Sequence, residues 1–404
     1  MSRIAAPNHV GRHDLGGVPP GHRFLLYLPL WNSSWRIDEG AKDEGAKRDA
    51  LGRCCSLGDA APLLDALRER QLAHAAALPA SQRFVVDAVA SSPFATGLGN
   101  EHPAENGFAF LTPYGLPYLA GSGVKGVVRR ALQDLVAEGA RGIDPSYIDA
   151  MFGPEDPTAD GSGPTLRDEQ RRRGALTFWD VYPKPEDGRL CIEVMTPHQT
   201  LYYQGDESPH DAGQPTPIVF LALPARSKLR FVVTFEPTLA PANRASTDWQ
   251  AVLDAAFSRA FDWLGFGAKT AIGYGAMEPD PIARGQRERA VAEAMARAEA
   301  SRIAAERDRR RSKLTPNQRA IEDFIDAMHQ RSDQLRGNKE KPNAESHQRA
   351  QKLAKQAHEG ADWTADERRA AADAIERWLP KVVQLPGVKD ALKKLKLRAL
   401  RGES

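Results

Sequence analysis

GLGNEHPAENGFAFLTPYGLPYLAGSGVKGVVRRALQDL, residues Gly97 to Leu135, is the stretch from which the rest of the chain is read. An apolar segment, Leu116 to Ala120, runs into Gly121, Ser122, Gly123, Val124, Lys125 and Gly126. An amphipathic helix from about Val124 to Val136 then places Val124, Val127, Val128, Ala131, Leu132 and Leu135 on one face. Three glycines in six residues let a backbone approach a ligand closely, and the unpaired N–H groups of a helix start attract an anion. Ser122 adds a hydroxyl, while Lys125, Arg129 and Arg130 bring cations to the same end. The theme returns at Gly265-Phe266-Gly267-Ala268-Lys269-Thr270-Ala271-Ile272-Gly273-Tyr274-Gly275. Two glycine and lysine loops point to a phosphate-bearing ligand.

The 404 residues suffice for two or three domains, and 41% hydrophobic with 27% charged residues is the balance of a water-soluble chain. No apolar run approaches the roughly 20 residues that cross a bilayer, and Met1 to Pro20 lacks the apolar core of a signal peptide. Cys54, Cys55 and Cys191 form neither a disulfide framework nor a zinc spacing, so a reducing cytoplasm is the expected location. The net charge of +2 hides an asymmetry: residues 281–404 hold 28 Lys+Arg against 19 Asp+Glu, which leaves residues 1–280 at −7. A nucleic-acid site in the front part must therefore be a local patch around the glycine loops, because bulk charge there repels phosphate.

In chain order, Gly21 to Trp31 reads as a central strand, Asn32 to Leu57 as a polar loop or insertion, and Asp59 to Ala77 as a helix capped by Asp59 with Pro62 in its first turn. Strands are expected at Arg83–Ser91, Gly174–Tyr182, Leu190–Met195, Pro217–Leu223 and Lys228–Phe235, with a closing strand at Ile272–Met277 and a helix at Trp249–Leu264. Thr196 to Pro217 is a long irregular loop, and Arg167 to Arg173 a charged loop or hairpin tip. Several strands in series with interspersed helices argue for an α+β domain whose helices cover one face of an antiparallel sheet. The expected organisation is a domain over residues 1–280, a charged linker helix over 281–313 and a helical extension over 314–404. That extension has helices at Asn317–Gln330, Glu345–Ala357 and Ala365–Leu379, the last stopped by Pro380, and a basic helix at Val388–Arg401.

Each motif has a plainer reading. Gly121-x-Gly123-x-x-Gly126 fits the dinucleotide fingerprint on paper, with Asp144 downstream, but Pro117 precedes it, Lys125 sits inside it and no parallel βαβ series surrounds it. Ala268 replaces the glycine that a phosphate-binding Walker loop needs before its lysine. For both loops the alternative is a tight turn that lets helix and strand pack closely. His102, in a loop with Glu101 and Glu105, is either a general acid or base for RNA cleavage or a structural or RNA-contacting residue. Pro197-His198 with Tyr202-Tyr203 either stacks bases or packs a loop. No His, Cys and Asp set has metal-ligand spacing, and no cofactor is expected.

Taken together, Gly97 to Gly107 (Gly-x-Gly-x-x-His-Pro-x-x-Asn-Gly), Gly115 to Arg129 (Gly-Leu-Pro-Tyr-Leu-x-Gly-Ser-x-Val-Lys-Gly-Val-x-Arg), Thr-Pro-His with Tyr-Tyr from Thr196, and the Gly265 to Gly275 loop resemble the RAMP superfamily of CRISPR systems. Within it, the chain resembles the family of sixth subunits of Cmr (subtype III-B) RNA-targeting complexes, over roughly Gly21 to Met277. Gly123 stands where the superfamily often has a second serine. The resemblance implies a ferredoxin-like (RRM-like) core and a non-catalytic, guide-RNA (crRNA)-binding role near the 3′ end of that RNA. It also implies target RNA and the other Cmr or RAMP subunits as partners, and no membrane. Lys125 and Lys269 would meet phosphates, Ser122 and the amides of Gly121 to Gly126 would hold backbone oxygens, and Arg129 would reinforce them. His102, Asn106, His198, Tyr203, Gly265, Gly267 and Thr270 complete the expected RNA-contacting set. The competing expectation is a metal-independent endoribonuclease using His102 or His198.

Overall fold

The computed structural model describes residues 3–7, 9, 14–140, 143–155, 172–196, 217–240, 248–385 and 388–402. Its chain divides into two compact units, Met1–Val291 and Ala292–Ser404.

The first unit is built on β1 (Arg83–Ala90), an alternating Arg-Phe-Val-Val-Asp-Ala-Val-Ala segment. It pairs antiparallel with β7 (Lys228–Phe235) on one side, in a register that sets Val86 against Phe231 and Asp87 against Arg230, and with β8 (Met277–Pro279) on the other. β4 (Leu176–Phe178) extends the sheet beyond β7, giving the order β4-β7-β1-β8. β5 (Cys191–Met195) and β6 (Ile218–Ala222) form a separate antiparallel hairpin, and β2 (Phe110–Leu111) pairs with β3 (Leu116–Pro117).

Before them come α1 (Pro20–Leu26), α2 (Glu44–Gly52) and α3 (Ala61–Ala77). α4 (Gly121–Ala137) and α5 (Pro145–Phe152) lie between β1 and β4, and α6 (Trp249–Arg259), continued by a π turn at Ala260–Leu264, between β7 and β8. Along the sheet the connections therefore read strand, helix, strand, strand, helix, strand. Val124, Val128, Ala131 and Leu132 of α4 share one core with Leu253, Ala256 and Phe257 of α6 and with Ala88, Phe231 and Val233 of the sheet. Phe231 anchors it, its ring 5.3 Å from that of Phe257 and 4.9 Å from that of Phe266. The neighbouring position in the register points the other way. There Asp87, 4% exposed, accepts hydrogen bonds from Arg230 Nε at 2.7 Å and Arg287 Nε at 2.6 Å.

The front of the chain departs from the sequence reading. Gly21 to Trp31 is not a strand: Pro19 and Pro20 preset a helix start, Pro20 takes a first-turn position, and α1 buries Arg23 and Phe24 while leaving Leu25 and Leu26 exposed. An unbroken apolar run of that length does not distinguish helix from strand by periodicity. Asn32 to Leu57 contains α2, whose start Asp43 caps by accepting from the amides of Gly45 and Ala46. Asp59 does not cap α3; it lies in a short 3-10 turn before it, and Pro62 does sit in the first turn. The Gly121 to Gly126 segment is no turn but the opening of α4, with Ala120 at the N-cap.

The second unit contains most of α7 (Pro281–Ser312), which has no buried residue, followed by α8 (Pro316–Leu335), α9 (Glu345–Glu359) and α10 (Ala365–Val382). Phe324, Met328, Leu353, Ala371, Ile375 and Leu379 form its core. Pro380 falls inside α10 rather than ending it, since a proline in the last turn removes only one helical N–H. The basic tail breaks into α11 (Val388–Lys394) and α12 (Leu397–Leu400), where Lys396 turns left-handed at φ 52°. Among the described residues, no helix is long and apolar enough to cross a membrane.

Candidate nucleic-acid interface

The start of α4 is pressed against the end of β4 and the segment that follows it, Trp179 to Val181. Leu119 and Val181 exchange backbone hydrogen bonds, and the Gly121 amide donates to Asp180 Oδ1 at 2.7 Å. A carboxylate of the chain itself therefore occupies the positive end of the helix, and the buried Gly121 amide is not free for a ligand. The Gly123 and Val124 amides turn back to the Ala120 carbonyl. What α4 presents outward is Ser122, Gly123 and Gly126, all exposed, with Lys125 half-buried beside them. An added Cβ at Gly126 would meet nothing within 4 Å.

Lys125 is the notable charge. Burial lowers its pKa below the ordinary lysine range, and the guanidinium groups of Arg129 and Arg173 lower it further. Among the described residues no carboxylate pairs with it. Arg129 itself is committed elsewhere: it donates to the Gly153 carbonyl at the end of α5, lies 5.7 Å from the Phe152 ring centroid and has Glu155 at 3.8 Å. It supplies field at this site rather than a free fork for phosphate. Arg173, from the charged segment read as a loop, reaches Thr177 Oγ1 at 2.6 Å and is the cation that sequence reasoning did not assign.

The second glycine segment is a tight turn. Gly265, Gly267, Gly273 and Gly275 all have positive φ, and a Cβ on Gly267 would lie 2.3 Å from the Ala95 carbonyl oxygen. Lys269 is itself left-handed at φ 61°, with Nζ 3.0 Å from Met195 Sδ at the end of β5. Tyr274 Oη donates to Glu193 Oε2 at 2.9 Å, and Thr270 lies in a 3-10 turn over Gly265. Lys125 and Lys269 thus have different immediate neighbours. Their segments are linked through the stretch between them: Ala268 N–H donates to the Ala95 carbonyl, Ala109 to that of Thr96, and Tyr118 to that of Ala109.

His102 has a structural job. Its ring stacks on Phe24 with centroids 3.8 Å apart, Nδ1 accepts from the Ala104 amide at 3.1 Å, and Nε2 stands 3.0 Å from the Phe24 carbonyl oxygen it donates to. Burial lowers its pKa and holds it neutral, so both nitrogens are spent on fixing α1 against this loop. Neither nitrogen is free for an acid-base role. Asn106 is half-buried in the same loop. His198 and Tyr203 lie outside the described residues. Burial pushes the thiol of Cys54 up to about 12, as it does that of Cys191, which leaves both protonated at neutral pH. Among the described residues no group of three His, Cys, Asp or Glu side chains could hold a metal ion.

The RAMP superfamily model matches residues 87–278, a span that begins within β1, ends within β8 and contains both glycine segments. Residues 87–278 belong to the RAMP superfamily. The CRISPR system Cmr subunit Cmr6 of Pyrococcus furiosus is 28% identical over 46% of this chain and 64% of its own length. The Cmr6 subunit of Saccharolobus solfataricus is 26% identical over 33% of this chain and 37% of its own. The match thus spans less than two thirds of either relative. Among solved structures, a type III-B Cmr-beta complex bound to cognate target RNA contains a chain 20% identical, covering 58% of this chain and 70% of that one at a TM-score of 0.38. Cmr6 from P. furiosus is 24% identical over 50% of this chain and 100% of its own at a TM-score of 0.29.

Proposed function

We propose that the chain is a non-catalytic guide-RNA (crRNA)-binding subunit of a type III-B Cmr effector, placed near the 3′ end of that RNA among other RAMP subunits, with target RNA in the same assembly. The observation that carries this reading is Lys125: a half-buried ammonium grouped with Arg129 and Arg173 and matched by no carboxylate among the described residues, beside the exposed Ser122, Gly123 and Gly126. Such a cluster is relieved by an anion, and a helix face without side chains admits a sugar-phosphate strand closely. Lys269 would hold a second phosphate. The strand order β4-β7-β1-β8, with α4 and α6 as the crossovers, is that of a ferredoxin-like core and supports this reading. Recognition through phosphates is tolerant of sequence, as a guide with a changing spacer requires.

The test is RNA affinity across a salt series for the wild-type chain and for Lys125→Ala combined with Lys269→Ala. Weaker binding is expected, with the slope of log K against log salt reduced by about 1.4, from two single-strand phosphates at about 0.7 each. An unchanged affinity and slope would remove both lysines from the interface.

A further inference from the structure

A second cationic feature lies in the first unit, away from the glycine segments. A cavity of about 900 Å³ opens between Arg3 to Pro7, Asp14 to Gly16, Trp35 and the end of α2. It is lined by Arg3, Arg23, Arg53 and Arg189, against one carboxylate, Asp14. None of the four arginines forms an ion pair among the described residues. Arg23 is 7% exposed; its two terminal nitrogens donate to the carbonyls of Arg53 and Ser56, while Nε has no partner. Two carbonyls fix this guanidinium in place, and among the described residues no carboxylate pairs with it. A buried, unpaired cation is expensive unless an anion joins it, and three further arginines line the same cavity.

The mouth carries aromatic surface. Trp35 is 57% exposed and stands at φ 58°, a left-handed conformation that a bulky side chain adopts only under constraint. The constraint is visible: Asn32 Oδ1 accepts from the amides of Ser34 and Arg36 and so displays Trp35 on the turn. Tyr27 lines the same cavity. Exposed, positioned indole beside unpaired guanidinium groups suits a ligand that is aromatic at one end and anionic at the other.

We infer that this cavity binds a nucleotide unit, its phosphate on Arg23, Arg53 and Arg189 and its base stacked on Trp35. The volume is that of a small-molecule site, and planar guanidinium forks match phosphate oxygens. The unit is either a free nucleotide or the terminal nucleotide of an RNA strand. The inference uses neither Lys125 nor Lys269, so it stands or falls apart from the RNA-binding reading.

The experiment titrates the full chain with 5′-AMP, with adenosine, with inorganic phosphate and with a short RNA bearing either a 5′-phosphate or a 5′-hydroxyl. AMP or the phosphorylated RNA is expected to bind saturably and at least about tenfold more tightly than its unphosphorylated counterpart. Arg53→Ala combined with Arg189→Ala, both side chains exposed, should abolish that preference. Trp35→Ala should weaken AMP while leaving inorganic phosphate unaffected. Tighter binding of the phosphorylated RNA than of AMP assigns a strand end; binding of AMP that the RNA does not displace assigns a free nucleotide. Equal binding of AMP and adenosine together with equal binding of the two RNAs, or phosphate preference unchanged in the double variant, overturns the site.

Discussion

At the scale of single residues, Lys125 joins stability to binding with opposite signs. Its pKa is depressed in the folded chain by burial and by Arg129 and Arg173, so the folded state holds this proton less tightly than the unfolded one. The penalty is complete at neutral pH and is relieved only as pH rises through the folded value toward the ordinary lysine range. Lys125→Met is therefore expected to raise the melting temperature at pH 7 while weakening RNA binding; thermal melts and a binding titration on the same preparation check both, and a lowered melting temperature would contradict the picture. His102→Ala is expected to do the reverse, costing about 1–3 kcal/mol through two lost hydrogen bonds and a lost ring stack while leaving the RNA affinity of the folded chain unchanged. Denaturant unfolding measures the first part. The sequence displayed Lys125 and the need for a local basic patch. It did not reveal that Arg129 is spoken for by Gly153, or that Asp180, nearly sixty residues on, caps the Gly121 amide, because such partners are set by tertiary contact.

Among the elements, the two glycine segments look alike in sequence and differ in physics. In α4, Gly126 has helical surroundings and open space beyond its Cα, so Gly126→Ala should stabilise the chain by about 1 kcal/mol and, under the proposed function, reduce RNA affinity by crowding the strand. Gly267 sits at φ 90° against the Ala95 carbonyl, so Gly267→Ala should destabilise by about 1–3 kcal/mol. Calorimetry on the pair separates a ligand-facing glycine from an architectural one. In the second unit, Glu367 accepts from Thr315 Oγ1 at 2.5 Å, from the Thr364 amide at 3.0 Å and from Asn317 Nδ2 at 3.2 Å, which holds its carboxyl down at about 2. Because that value is depressed, the stabilisation is present above pH 4.5 and is lost as pH falls from there toward 2. An acid titration of helical signal should show a component in this window that Glu367→Gln lacks. Strong periodicity made β1, β7, α4 and α6 legible from the sequence; α1 was not, since Phe24 to Trp31 is apolar throughout and only the Pro19-Pro20 pair marks it as a helix.

For the molecule as a whole, charge is placed rather than spread. The front 280 residues are net acidic, yet Lys125 on α4 and the arginines of the cavity beside Trp35 have no ion-pair partner among the described residues, a placement no residue count exposes. Asp87 marks the opposite arrangement, a carboxylate enclosed by Arg230 and Arg287 that ties β1 to β7 and to the first turns of α7. Asp87→Asn should cost about 3–5 kcal/mol, with little dependence on salt, since the pair is screened from water; a loss that shrinks steeply in high salt would argue against enclosure. Of the helical tail the sequence showed the order of the helices, but neither that α10 runs through Pro380 nor the break at Lys396, where a left-handed residue separates α11 from α12. The frustrated ammonium on α4 also bears on turnover. A copy that has met no anion starts from a lower melting point than one that has, so surplus chains would be the first to unfold and be degraded. Under the proposed function, cellular abundance would then track the supply of guide RNA without any dedicated sensor.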